Sequence, residues 1–441
     1  KMMKKFIKES ILIILLVLSV FIYIGCEADK EEENTITYYH YEPQVSTVSS
    51  FIYDYNNKLG NTDYKINVVE FDDMKKMASR LSTEIMAGEG PDIITSAELE
   101  MLSSSIEKLI KQKTFANLDD IFADDSSDDK FNLSDYNSDI FDAGVYEGKR
   151  YYIPVAFEPQ ILLSSSSKLS KYLNHAENKL TYDSVQTLNG NILKDRANNR
   201  LFYDAEDYKN ILLNYIDDNV DFYSQKCDFS SDNFMKSMIT LKEFCNSNVS
   251  DEDEIVPIFS STGQFELFSL YDEIAVIDSD GDKPLITNLP NKDGVPTGMI
   301  MDAIFINNNS SNKQKILNFI KYVLSEKVQS DFCGANIKNY EPGTSFGTGW
   351  NYPVNNQSYK NLFGKAQEVK YINNTTNISE SNFMYAKNYI DSIKEYRLCG
   401  LYDYYNTEVI GATVDKFLSG EIDENKFLKE LKSKTEIYLN E

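Results

Sequence analysis

Residues 84–95 read EIMAGEGPDIIT, an amphipathic segment that halts at Gly-Glu-Gly-Pro-Asp and restarts at once as an apolar run. Upstream, Asp72 and Asp73 supply a helix N-cap, and Met74, Met77, Leu81 and Ile85 recur at three and four residues, one apolar helix face. Gly88 suits the left-handed position that ends such a helix, and Pro91 cannot continue it. Ile93 and Ile94 then open a short buried strand. Glu89 and Asp92 read as turn and cap residues rather than ligands.

Working outward, Thr35 to Tyr39 is β-branched and aromatic, a helix is expected near 46–59, and residues 64–69 alternate as a second strand. Strand, helix, strand, helix, strand is the opening of a parallel α/β sheet. A chain of 441 residues that is 42% hydrophobic is long enough for two or more domains. Its net charge of −25 would repel a polyanion over most of the surface, which sets nucleic acid aside as a partner.

The N-terminus carries Lys4, Lys5 and Lys8, then the apolar run ILIILLVLSVFIYI over 11–24, then Gly25-Cys26. That order is a basic n-region, an apolar h-region and a small residue before a cleavage point. The run is shorter than the roughly 20 residues that span a bilayer, so a processed export signal is expected over 1–25. Residues 1–25 hold four lysines and one glutamate, so their removal takes the charge from −25 to −28. A polar tether over 26–34 follows.

The stretch AGEGPDII resembles the signature at the same place in extracellular solute-binding proteins of bacterial ABC importers, the group that includes sugar-binding lipoproteins. Three further stretches strengthen the resemblance, in the order expected. Residues 146–158, YEGKRYYIPVAFE, are similar to the family's strand where the chain passes into its second lobe. Residues 299–329, with Ile316, Ile320, Val323 and Leu324 inward, resemble the return segment, and 414–441 resemble the C-terminal helix pair. Tyr23-Ile24-Gly25-Cys26 resembles a lipobox, with Tyr23 where leucine is usual and Cys26 as the lipidated residue.

The resemblance implies a two-lobed periplasmic-binding-protein-like α/β fold, each lobe a mainly parallel sheet flanked by helices, joined by hinge crossings. These are expected near Arg150 to Ile153, Pro296 to Met299 and Glu341 to Phe346. Lobe 1 would comprise 35–150 and 299–342, and lobe 2 would comprise 151–298 and 343–441. The implied function is capture of a small-molecule solute, a mono- or oligosaccharide, in the interlobe cleft, with delivery to the transmembrane subunits of an ABC permease. The protein would be a monomer anchored by lipid to the extracellular face of the bacterial cell membrane, with no cofactor and no catalysis. Alternatives are a receptor for a non-sugar solute, a sensor-linked binding protein, or a secreted glycosidase.

Sugars suit such clefts through aromatic faces and through carboxylates or amides that bond hydroxyls. Candidate ligand residues are therefore Tyr41 and Glu42, leaving the first strand, and Ser96, leaving the third. Phe157 and Glu158 match a family position that carries a carboxylate in several sugar-binding members. Asp302 interrupts an apolar strand, Trp350 is the only tryptophan and sits in a glycine-rich loop, and Tyr402, Tyr404 and Tyr405 cluster before the last helices.

The serine run 164–167 reads as loop, and the acidic insert 119–129 as a solvated loop. Asp278 to Asp282 has a calcium-loop look, but its glycine falls two places early, so a turn is preferred. Two histidines, His40 and His175, leave no material for a His-rich metal site or a Ser-His-Asp triad. Cys227, Cys245, Cys333 and Cys399 lack metal or redox spacing and allow three pairings, with unpaired thiols equally open.

Overall fold

The computed structural model describes residues 35–43, 46–59, 65–172, 179–195, 199–202, 205–245, 256–259, 261–264, 267–331, 351–366 and 378–440. Cys26, Cys333, Trp350 and the expected third crossing lie outside them.

The opening elements are β1 (Ile36–Tyr41), α1 (Thr47–Leu59), β2 (Ile66–Phe71), α2 (Met74–Ala87) and β3 (Ile93–Thr95). β1 pairs in parallel with β2 and with β3, the βαβ arrangement that alternating strands and helices favour. Asp73 caps α2, accepting from the Lys75 and Lys76 amides at 2.8 and 3.0 Å. Gly88 ends it at φ +77, a left-handed conformation that glycine takes without strain. Asp92 is a buttress: one oxygen accepts from the Thr37 amide and hydroxyl at 2.8 and 2.9 Å, the other from Ser310 at 2.5 Å.

After α3 (Ser96–Leu99) and α4 (Ile106–Lys111), the chain enters β4 (Tyr152–Ser165), fourteen residues long and almost wholly buried. The helices α5 (Tyr182–Asp195), α6 (Ala205–Asp217) and α7 (Asp232–Cys245) follow, then β5 (Ser261–Gln264), α8 (Leu267–Ser279) and β6 (Pro284–Asn288). β7 (Thr297–Ile306) returns the chain to the first strands, and α9 (Lys313–Leu324) buries Ile316, Leu317, Phe319, Ile320, Val323 and Leu324. Each such side chain contributes roughly 1.5–3 kcal/mol relative to exposure. The last elements are β8 (Tyr352–Pro353), β9 (Glu395–Leu398), α10 (Gly411–Leu418) and α11 (Glu424–Asn440).

The nine strands named above join one mixed sheet, β5-β4-β7-β3-β1-β2 along its main path, with β6 and β8 on β4 and β9 on β7, and three short two-stranded pairs stand apart from it. β7 is antiparallel to β3 at one end and to β4 along its length, while the far end of β4 pairs antiparallel with β5 and β6. The crossing strands are thus long members of a sheet that continues from one lobe to the other.

Two buried cores result. One gathers the β1–β3 face, α1, α2 and α9 and runs on through the crossing strands to Leu270, Ile286 and the buried residues of 352–398. The other gathers α5, α6, α7, α10 and α11. Tyr352 and Leu398 belong to the first core and Tyr405 and Phe427 to the second.

Two loop expectations are corrected and a third holds. Ser164 and Ser165 close β4, held by pairing with Leu285 and Pro284, so ladder bonds override loop-prone composition. The acidic insert is partly a helix over Leu118–Ala123, and its Asp125 is buried with an ion pair to Lys321 at 2.5 Å. That ion pair and hydrogen bonds from Ser127 and Phe131 hold the Asp125 carboxyl well below its ordinary range, against the opposing effect of burial. Asp278 closes α8 and accepts from the Ser379 amide at 2.5 Å and Asn382 at 2.9 Å, a turn as expected.

Candidate functional site

Two adjoining cavities, about 110 and about 290 Å³, lie where the end of α6, the crossing strands and the loop after β9 converge. They share Asp217, Asp218, Arg397, Leu398, Leu401 and Tyr402. The first adds Tyr182, Asn214, Asn406 and Asp403, with Gln160 from β4 and Thr297 and Met299 from β7. The second adds Tyr146, Tyr152 and Tyr396.

Asp217 is the last residue of α6, and Asp218 follows it. A carboxylate pair at a helix C-terminus meets the negative end of the macrodipole, so it needs partners of its own. Asp218 has them: Arg397 donates to it at 2.6 Å and the Tyr182 hydroxyl at 2.8 Å. Asp217 is less complete, because Asn406 donates to one oxygen at 2.9 Å and the other has no hydrogen-bond partner. Burial pushes the Asp217 carboxyl up to about 8; Asn406 and Arg397 oppose this, and Asp218 and Asp403 add to it.

Tyr402 stacks on Phe222 with ring centres 3.9 Å apart, and its hydroxyl donates to Glu107 at 3.3 Å. Glu107 belongs to α4 of the first core while Phe222 belongs to the second, so Tyr402 bridges them. The second Glu107 oxygen is buried without a partner, and burial raises this carboxyl too. Lys111, one turn along α4, donates to the Tyr223 carbonyl and lies 4.4 Å over the Tyr223 ring, a second clasp.

Of the residues expected from sequence to bind ligand, Tyr402 lines both cavities. Glu158 is buried on β4 opposite Met299, one alternate position from Gln160, which does line a cavity. Phe157, on the other face, packs among Tyr352, Tyr359 and Tyr396 at 5.4–6.1 Å. Tyr405 is fully buried with its hydroxyl 2.6 Å from Thr435, and Tyr404 sits beside Tyr438. Tyr41 packs against the first core and Glu42 is exposed; neither lines either of these two cavities.

Ser96 and Asp302 do meet, but inside the first core. The Ser96 hydroxyl donates to Asp302 at 2.7 Å, and Asp302 also accepts from the Val48 amide at 3.1 Å, capping α1 from another strand. Irregular register on both sides of Asp302 marks a bulge, which lets a carboxylate interrupt the apolar run. Burial raises its carboxyl to about 6 despite these hydrogen bonds.

The wall residues that sequence reading missed are Asp217, Asp218, Arg397, Tyr182 and Asn406. One signal was available: two aspartates closing an amphipathic helix oppose the dipole. Among the described residues no group of three His, Cys, Asp or Glu is set to hold a metal ion.

Paired antiparallel crossing strands with a polar, tyrosine-rich cavity beside them define the architecture. The chain has the fold of the two-lobed solute-binding proteins. No family model and no curated protein sequence matches it. Among solved structures, the sugar-binding protein MalE from Xanthomonas citri is similar at 14% identity and TM-score 0.56, covering 92% of this chain and 97% of that one. An ABC substrate-binding protein from Listeria monocytogenes in complex with cycloalternan is similar at 14% identity and TM-score 0.52, covering 92% and 98%. A de novo designed esterase is similar at 12% identity and TM-score 0.54, covering 92% and 98%. At such identities the fold is what is shared, and function rests on the site.

Proposed function

We propose that this chain is an extracellular solute-binding protein that captures a mono- or oligosaccharide in the interlobe cleft and delivers it to an ABC permease. The observation that carries the reading is the cavity wall itself. Aromatic rings of Tyr182, Tyr396 and Tyr402 stand beside Asp217, Asp218, Asn214, Asn406 and Arg397, the pairing of flat apolar faces with hydrogen-bonding groups that pyranose rings require. The MalE and cycloalternan-bound neighbours support it as proteins of this fold that bind sugars.

In the same reading the export signal over 1–25 is cleaved, Cys26 carries lipid, and the mature protein works as a tethered monomer. Lobe 1 is built on 35–150 with 299–342 and lobe 2 on 151–298 with 343–441. Glu158 and Trp350 stay as proposed contacts beside the cavity residues.

Binding without turnover is the better account of the wall, because Asp218 is engaged by Arg397 and Tyr182 and one oxygen of Asp217 by Asn406, rather than the pair being set apart as an acid and a nucleophile. The test is a thermal-shift screen of residues 27–441 against sugars, amino acids, peptides, polyamines and metal ions. A ligand at about 100 times its Kd should stabilise the native state by about 2.7 kcal/mol. A shift with one sugar class is the expected result. A shift with amino acids or peptides alone would replace the sugar by another solute, and release of reducing sugar from an oligosaccharide would make the protein a glycosidase.

A further inference from the structure

We infer that the saccharide this cleft takes bears a protonated amino group, seated between Asp217 and Asn406; the inference rests on the saccharide reading above. Among the described residues, three carboxylates line the cavities, Asp217, Asp218 and Asp403, against one cation, Arg397. That cation is already spent, since Arg397 and the Tyr182 hydroxyl occupy the two oxygens of Asp218. Asp217 is left without a counter-charge of its own.

The geometry at Asp217 narrows what can complete it. The residue is 7% exposed, lines both cavities, and has one oxygen without a partner. Asn406 spends its amide N–H on the other oxygen of Asp217, and its own carbonyl oxygen is likewise buried without a partner. Two acceptors on directly bonded side chains therefore wait for donors. A sugar hydroxyl brings one donor, carries lone pairs and adds no charge. An ammonium brings three donors, no acceptor and a positive charge, beside which the Asp217 carboxyl, held protonated by burial in the unliganded protein, ionises. A metal ion could also satisfy two oxygens, but among the described residues no group of three His, Cys, Asp or Glu is set to hold one.

The experiment is isothermal titration of residues 27–441 with matched sugars that differ only at C2. The series comprises glucosamine against glucose and N-acetylglucosamine, and the β-1,4 glucosamine trimer against cellotriose and the acetylated trimer, with spermidine as the non-sugar amine. The amino member of a set should bind at least tenfold more tightly than its hydroxyl and acetylated counterparts. Asp217→Asn should collapse that ratio while the melting temperature of the unliganded protein stays within a few degrees. If that variant melts early, Asn406→Ala at a half-buried position gives the same readout. Equal or tighter binding of the hydroxyl sugars, or an unchanged ratio in both variants, overturns the amine inference and leaves the saccharide reading standing. Spermidine binding that depends on Asp217, with every sugar silent, keeps amine recognition and overturns the saccharide. Silence throughout overturns both.

Discussion

Asp302 and Asp217 are both buried aspartates with raised carboxyls, yet their surroundings give them opposite roles. Asp302 has Ser96, Val48 and Ala303 donating to it, so its hydrogen-bonding capacity is used inside the protein. Replacing it with alanine uncaps α1 and strands the Ser96 hydroxyl. The expected loss is ~1–3 kcal/mol of stability, with ligand affinity and selectivity unchanged. Denaturant unfolding and titration of Asp302→Ala check this; a tenfold loss of affinity in a stably folded variant would return Asp302 to the binding site. Asp302 was legible as an anomaly, an acid in an apolar run, but no local pattern says whether such an acid meets a ligand or a helix end.

At the scale of elements, the turn after β9 is the most tightly constrained junction at the cavity. Gly400 there has φ +69, and a Cβ would fall 2.5 Å from the Glu100 side chain. Gly400→Ala should cost ~1–3 kcal/mol through backbone strain and the displaced carboxylate. Because Gly400 and Arg397 line the same wall, ligand affinity should fall as well. Calorimetric unfolding plus titration measures both, and a variant as stable as the parent would show that the turn has slack. Elements of this kind explain what sequence could and could not reveal. Helix α2, its Asp73 cap and its Gly88 stop follow from neighbours in the chain, as does the buried face of α9. The cavity wall draws on Gln160, Tyr182, Asp217, Thr297, Arg397 and Asn406, which no periodicity links; only the sheet and the helix ends bring them together. The serine run misled for the same reason, since pairing partners more than a hundred residues away hold it as strand.

For the whole molecule, buried acids set the response to pH. Glu98 is raised to about 7 and Glu100 to about 8, chiefly by burial, and join Asp217 at about 8 and Asp302 at about 6. In the unfolded chain all four titrate near 4. Between about pH 4 and 8 the native state therefore holds more protons than the unfolded state, and stability falls as pH rises through that window. His40, whose pKa burial lowers, works the other way, but it is one group against four. Melting temperature should accordingly drop from pH 5.5 to pH 8, and Asp217→Asn should flatten the slope; a melting temperature that climbs over this range would contradict the burial of these acids. The continuous sheet bears on motion rather than titration. Ladder bonds between β4 and β7 resist sliding of one strand past the other, whereas a sheet twists and bends with its bonds intact. The joint therefore acts as a flexure: it resists shear between the halves and leaves rotation about the sheet open to them.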